Sequence, residues 1–149
     1  MYFITFKNME DCIFCKIIRG GLPSSKIYED DELLAFLDIQ PVNKGHVLII
    51  PKQHKVLIAD LDDKTLSNMI ALANKINQAI RESDIKSEGI NLFLADGEAA
   101  GQEVFHVHLH VIPRFSKDGF GFVFPEDYKN KPPREELDII SQKIQSHLK

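Results

Sequence analysis

The segment His106-Val107-His108-Leu109-His110-Val111-Ile112, closed by Pro113-Arg114, constrains the fold more than any other part of the chain. Histidine at every second position keeps to one face only in an extended strand, where side chains alternate sides and rings on one face stand roughly 6.6 Å apart. On a helix, steps of two scatter the rings around the axis. The pattern therefore predicts His106, His108 and His110 in a row, with Val107, Leu109 and Val111 turned into a core. Half of the six histidines fall in this one run, which argues against a strand that carries solvent-facing histidines by chance. Two chemistries are open for the row. In one, two rings of an HxH strand chelate a catalytic ion; in the other, a histidine attacks phosphorus while its neighbours handle charge.

A chain of 149 residues, 44% of them hydrophobic, has the size of one domain and can bury a continuous core. The net charge of −4 is spread among mixed acidic and basic residues, so no nucleic-acid-binding face is expected, and a phosphate ligand would need local donors. No apolar run reaches the length of a membrane span, so no membrane partner is expected. The start, Met1-Tyr2-Phe3-Ile4-Thr5-Phe6-Lys7, lacks the basic-then-apolar layout of a secretory signal. The expected location is cytoplasmic.

The two cysteines form a CxxC, Cys12-Ile13-Phe14-Cys15. No βαβ pattern of the thioredoxin kind surrounds them, so zinc fits better than a redox disulfide. Zinc takes four ligands in a tetrahedron, and His54 with one histidine of the row are the obvious remaining donors.

Along the chain, Asp11 is placed to cap a short helix over Cys12 to Arg19, stopped by Gly20-Gly21 and Pro23. Lys26 to Leu37 reads as two short strands around the acidic run Glu29-Asp30-Asp31-Glu32, taken as a solvated turn. His46 to Pro51 is a continuous apolar run bounded by breakers, expected as a central strand. Between Asp62 and Ser83, Leu66, Met69, Ile70, Ala73, Ile76 and Ile80 follow the three-and-four spacing of a long helix, with Asp62 or Asp63 as cap. Ile90 to Leu94 is another strand, a loop over Asp96 to Gln102 follows, and Val104 opens the histidine strand as its antiparallel partner. From Lys117 the chain is irregular and ends in an amphipathic helix with Leu137, Ile140, Ile144 and Leu148 on one side.

Beyond the H-φ-H-φ-H-φ-φ motif (φ, apolar) of His106 to Ile112, the chain carries Gly101-Gln102 before it, and Asp38-Ile39-x-Pro41, Gly45-His46 and Pro51-x-x-His54 upstream. Together these residues resemble the histidine triad (HIT) proteins of the Hint-like bacterial branch. The resemblance implies an α+β, HIT-like fold: an antiparallel sheet of about five strands, one long helix and short terminal helices, dimerising into a continuous sheet. It implies a single HIT domain over residues 1–149, with a core over 11–114 and a C-terminal extension with a helix over 115–149. Residues 1–10 form an extra N-terminal segment, of which 1 to 8 read as an upstream start or as an added edge strand.

The implied activity is hydrolysis or transfer of a nucleoside monophosphate group from purine nucleoside phosphoramidates or dinucleoside polyphosphates. By resemblance His108 is the nucleophile. Its chemistry is sound on its own terms: neutral imidazole has a lone pair at pH 7 and can form a nucleotidyl-histidine that water then releases, provided the other ring nitrogen donates to an acceptor such as a main-chain carbonyl of the same strand. His110, His46, Gln102 and the amides of the Gly97 to Gly101 loop are the groups available to meet phosphoryl charge. The resemblance gives Asp38 to the ribose hydroxyls and Ile13, Phe14, Phe36 and Ile39 to an apolar slot for the base. Asn91, Gly101, Gln102 and Val104 complete the expected substrate site. Asp38 reads equally as a turn residue that caps its own backbone. A structural zinc is implied on Cys12, Cys15, His54 and His106, which leaves His108 and His110 for catalysis. Glu103 and Ala95 depart from the hydroxyl and amide side chains that relatives carry there. The alternatives are a nucleotide- or partner-binding module with vestigial turnover and, less favoured, a metallohydrolase with its ion on the row.

Overall fold

Five strands form one antiparallel sheet in a computed structural model that describes residues 9–149. They are β1 (Lys26–Glu29), β2 (Leu33–Leu37), β3 (Val47–Pro51), β4 (Gly89–Phe93) and β5 (Leu109–Arg114), side by side in the order β1-β2-β3-β5-β4. Strict alternation in β2, β3 and β5 sorts side chains to two buried layers. Leu33, Ala35, Val47, Ile49, Leu109 and Val111 pack with Met69, Ala73, Ile76 and Ile80 of a long helix, α2 (Asp63–Glu82). Leu34, Phe36, Leu48 and Ile50 point the other way and meet Cys12, Phe14, Cys15 and Ile17 around a short helix, α1 (Ile13–Ile18). Cover on both faces is why β2 and β3 read as unbroken apolar runs, each large buried side chain contributing roughly 1.5–3 kcal/mol.

α2 starts as its sequence predicts, with Asp62 accepting from the Thr65 amide at 2.7 Å. Its buried stripe differs from the expected one: Leu72 is in the core, Leu66 is only partly buried and Ile70 is 55% exposed. α1 begins after Cys12 with no side-chain cap, so the expected Asp11 cap does not form. It ends where Gly20, at φ +76°, lets the Gly20 and Gly21 amides turn back onto the Ile17 and Lys16 carbonyls. The acidic turn is solvated but also structural, because Asp30 accepts from the Glu32 and Leu33 amides and Glu32 from Asn68 of α2.

The histidine segment is the main correction. The expected strand over His106 to Ile112, opened by Val104, becomes a ladder only from Leu109. Pairing with β3 runs Val47↔Val111, Leu48↔His110 and Ile49↔Leu109. Continued by two residues, that register sets Val107 opposite Pro51, which has no N–H to give. The Val107 amide instead donates to Lys55 O at 2.7 Å, and the His106 amide to Val104 O at 2.8 Å.

The chain divides into two compact units, the first ending at Asp118 and the second Gly119–Lys149. In the second, α3 (Arg134–Gln145) carries Leu137, Ile140 and Ile144, all exposed, and Leu148 lies beyond its end. The N-terminal segment expected as a start or an edge strand, residues 1 to 8, lies outside the described residues. Among the described residues no helix is long and apolar enough to cross a membrane.

Candidate active site and metal centre

The sheet face opposite α2 carries all three rings of the row, and each is fixed by a different partner. His106 is fully buried and its Nε2–H donates to Pro51 O at 2.8 Å, which leaves Nδ1 with its lone pair. That nitrogen lies 3.5 Å from Cys12 Sγ, 3.6 Å from Cys15 Sγ and 3.3 Å from His54 Nδ1, while Cys15 Sγ lies 3.3 Å from His54 Nδ1. All four ligand atoms fall within 4.8 Å of one another. A tetrahedral zinc about 2.3 Å from sulfur and about 2.0 Å from nitrogen would separate S and N by about 3.5 Å and two nitrogens by about 3.3 Å. The donor set and its spacing therefore fit a metal ion. Burial, then the neighbouring Cys12 thiol, push Cys15 up to about 11, and burial pushes His106 down to about 4, so both groups are held in their neutral forms near pH 7. Among the described residues, His54 Nε2 is a buried side-chain nitrogen with no hydrogen-bond partner.

His108 is turned the other way round. Its Nδ1–H donates to the His106 carbonyl at 2.7 Å, the main-chain acceptor expected from the sequence, so the lone pair sits on Nε2. Burial lowers its pKa. Phe14 of α1 stands edge-on to it, with ring centroids 5.2 Å apart, and edge-on to His106 at 5.9 Å and Phe36 at 5.7 Å. One buried aromatic thus separates the cysteine cluster from the exposed part of the face.

His110, on β5, forms a pair with His46. An amide can only donate, so the Val42 N–H at 3.2 Å makes His46 Nδ1 an acceptor and places its proton on Nε2. That Nε2–H donates to His110 Nδ1 at 2.9 Å, which in turn leaves His110 with its proton on Nε2. Burial, then His108 and His46, push His110 down to about 4, and burial also lowers His46. Asp38, His46 and His110 lie close enough to share an ion, but the 2.9 Å contact between the two rings is a hydrogen bond already made. No group of three or more ligand atoms among the described residues that could hold an ion takes in His108, so the geometry does not assemble an HxH chelate on this row.

The expected substrate residues divide. Phe14 and Phe36 are buried under this face, Ile13 is 43% exposed, and Ile39 is 88% exposed. Asp38 makes the turn contact, accepting from the Gln40 amide at 2.9 Å, and its other oxygen lies 3.7 Å from His46 Nδ1. Asn91 is drawn away from the histidines, its Oδ1 accepting from Arg114. Gln102 is buried as a brace: its amide donates to Val56 O and its oxygen accepts from the Gly97 amide, each at 2.8 Å. The amides of Ala100, Gly101 and Gln102 also turn inward, onto Gly97 O and Glu98 O. The loop therefore uses on itself most of the donors expected to face a phosphate, with Gly97 and Gly101 at positive φ making its tight path possible. Val104 packs on the α1 layer.

Phe93 is the residue that sequence reasoning missed. It pairs with His110 across the β4–β5 ladder, and the two ring centroids are 5.6 Å apart. The signal was available, since antiparallel pairing of the two predicted strands brings some residue of β4 to face each histidine.

A family model described as HIT domain matches residues 19–117. A solved HIT family protein from Bacillus anthracis superposes with a TM-score of 0.85 at 45% identity, covering 94% of this chain and 99% of that one. A zinc-bound histidine triad family protein from Mycobacterium smegmatis gives 0.72 at 42% identity, covering 82% and 88%. An adenosine 5'-monophosphoramidase of Schizosaccharomyces pombe is 38% identical over 139 residues, 93% of this chain and 98% of that protein. Triad, cysteine cluster, sheet order and these matches agree, and the chain belongs to the HIT family.

Proposed function

We propose that the protein cleaves the bond between the α-phosphorus of a purine nucleotide and its leaving group, in nucleoside phosphoramidates or dinucleoside polyphosphates, through a nucleotidyl intermediate on His108. The carrying observation is the 2.7 Å bond from His108 Nδ1–H to the His106 carbonyl, which leaves Nε2 unprotonated and able to act as a nucleophile. In the first step Nε2 bonds to phosphorus, the P–N or P–O bond to the leaving group breaks, and His110 gives its Nε2 proton to the departing atom. In the second step a water oxygen replaces Nε2 on phosphorus, its proton returns to His110, and the nucleoside monophosphate leaves. Asp38 is the ribose acceptor in this reading, and Phe14, Phe36 and Ile13 flank the base. A zinc ion on Cys12, Cys15, His54 and His106 supplies no chemistry to the step; it ties α1 and its Phe14 to the sheet.

The same reading carries a homodimer. Among the described residues β4 is an edge of the sheet, with Leu92 48% and Phe93 39% exposed, and pairing it with a second copy would extend the sheet across both subunits.

Intact-protein mass spectrometry of wild type and His108→Ala, mixed briefly with an adenosine phosphoramidate, tests the function, with native spectra giving zinc per subunit and subunits per particle. The expected result is a transient AMP adduct on wild type alone, and one zinc per subunit in a dimer for both proteins. Folded, zinc-loaded chains that form no adduct and release no AMP from phosphoramidate or dinucleoside polyphosphate would overturn it in favour of a binding module.

A further inference from the structure

The loop between β2 and β3 is pinned to β5 by one side chain. Asn43 Nδ2 donates to Pro113 O at 2.8 Å and to Asp118 Oδ2 at 2.9 Å. Pro113 belongs to the strand that carries His110, and Asp118 is held by Arg114 through two contacts of 2.6 and 2.8 Å. On its other side Asn43 controls His46 twice. Its carbonyl accepts from the His46 amide at 3.1 Å, closing a turn, and its neighbour Val42 supplies the N–H that fixes the His46 ring. The separation and the tautomer of the His46–His110 pair therefore both refer to a loop whose anchor on β5 is the Asn43 carboxamide.

We propose that Asn43 is a positioning residue for proton delivery by His110: by pinning the Val42 to His46 turn onto β5, it keeps the His46 Nε2–H on His110 Nδ1 and so keeps the His110 proton on Nε2. As a statement about catalysis this rests on the phosphoryl-transfer reading above. A carboxamide suits the task because its nitrogen carries two protons and can serve a main-chain oxygen and a carboxylate together. A brace with no catalytic consequence would hold the loop without setting the protonation of either ring.

The test uses the zinc-loaded full-length chain. Nitrogen-15 NMR of the histidine rings is compared between wild type and Asn43→Ala, and turnover of an adenosine phosphoramidate is measured for Asn43→Ala, His46→Ala and the double variant. The expected result is a single Nε2–H tautomer of His46 in wild type and a mixture in Asn43→Ala. With it kcat falls about ten- to hundredfold and KM stays within about twofold. In the His46→Ala background the same substitution then changes kcat by less than about twofold, because the two residues act as one unit. An unchanged His46 tautomer in folded Asn43→Ala, or an equal loss of kcat in both backgrounds, overturns the proposal. If wild type has no turnover, which sinks the functional reading, the NMR comparison alone decides: a mixed tautomer upholds the positioning and an unchanged one ends it. Should Asn43→Ala fail to fold, Asn43→Asp, which keeps the shape and removes both donated bonds, carries the same readouts.

Discussion

His106 and His110 are the same residue type four positions apart, and they differ in what holds the ring. His106 gives its Nε2–H to a carbonyl and turns Nδ1 toward two thiols and another imidazole. His110 accepts a hydrogen bond on Nδ1 from His46 and keeps its proton on Nε2, beside the half-exposed ring of Phe93. Burial lowers both, each to about 4, so the electrostatic environment does not separate them. The partner on the second nitrogen does. In an imidazole row, the partner bound at one nitrogen decides which nitrogen keeps a lone pair, and what the other nitrogen faces decides whether it can be a ligand, a nucleophile or an acid.

The sharpest way to break this division is at the residue between the two. His108→Ala is expected to lower turnover by at least about 10⁴-fold with the melting temperature within about 3 °C of wild type; a residual rate above one hundredth would mean another nucleophile. On the metal side the effect should appear in stability. Cys12→Ser with Cys15→Ser, or removal of zinc by a chelator, should cost about 3 kcal/mol or more, roughly 10 °C in melting temperature, while folded molecules keep at least about a third of their kcat. Immediate loss of turnover in a still-folded chain would move the ion into the chemistry. His110→Ala is expected to reduce kcat about 10²-fold with an alkylamine leaving group and far less with a phenol of low pKa, since only the former needs a proton as it departs. Equal losses with both would assign His110 to phosphoryl contact instead.

The smallest effect is on pH. His46 and His110 have lowered pKa values in the folded state, so between about 6.5 and 4 the unfolded chain binds more protons. The His110 contribution is fully present above about 6.5 and is lost as pH falls through its folded value near 4, and His46 adds in the same direction. Urea midpoints measured from pH 7 to pH 4 should therefore fall more steeply for wild type than for His110→Gln. Parallel curves would show that the pair does not titrate with folding.

Much of the fold was legible because it depended on local pattern. Short apolar runs located β2, β3 and β4, three-and-four spacing with the Asp62 cap located α2, and the aliphatics of the histidine run faced α2 as expected. What was not legible depended on partners far away in sequence. The late start of β5 follows from the missing N–H of Pro51, the inward turn of Gln102 from Val56, and the absence of Asn91 from the histidines from Arg114. The cysteine cluster was foreseen from the resemblance; the lone pair on His106 Nδ1 needed the Pro51 carbonyl to be seen.

His108 is oriented by the backbone oxygen of His106, not by its ring. A peptide carbonyl is present whatever side chain stands at that position, so the His108 tautomer does not depend on the ring at position 106. A lineage can therefore lose Cys12, Cys15 and the ring of His106, replace the metal tie with apolar packing between α1 and the sheet, and keep its reaction. In this architecture the cysteine cluster is open to evolutionary exchange, while the orientation of His108 is built into the main chain.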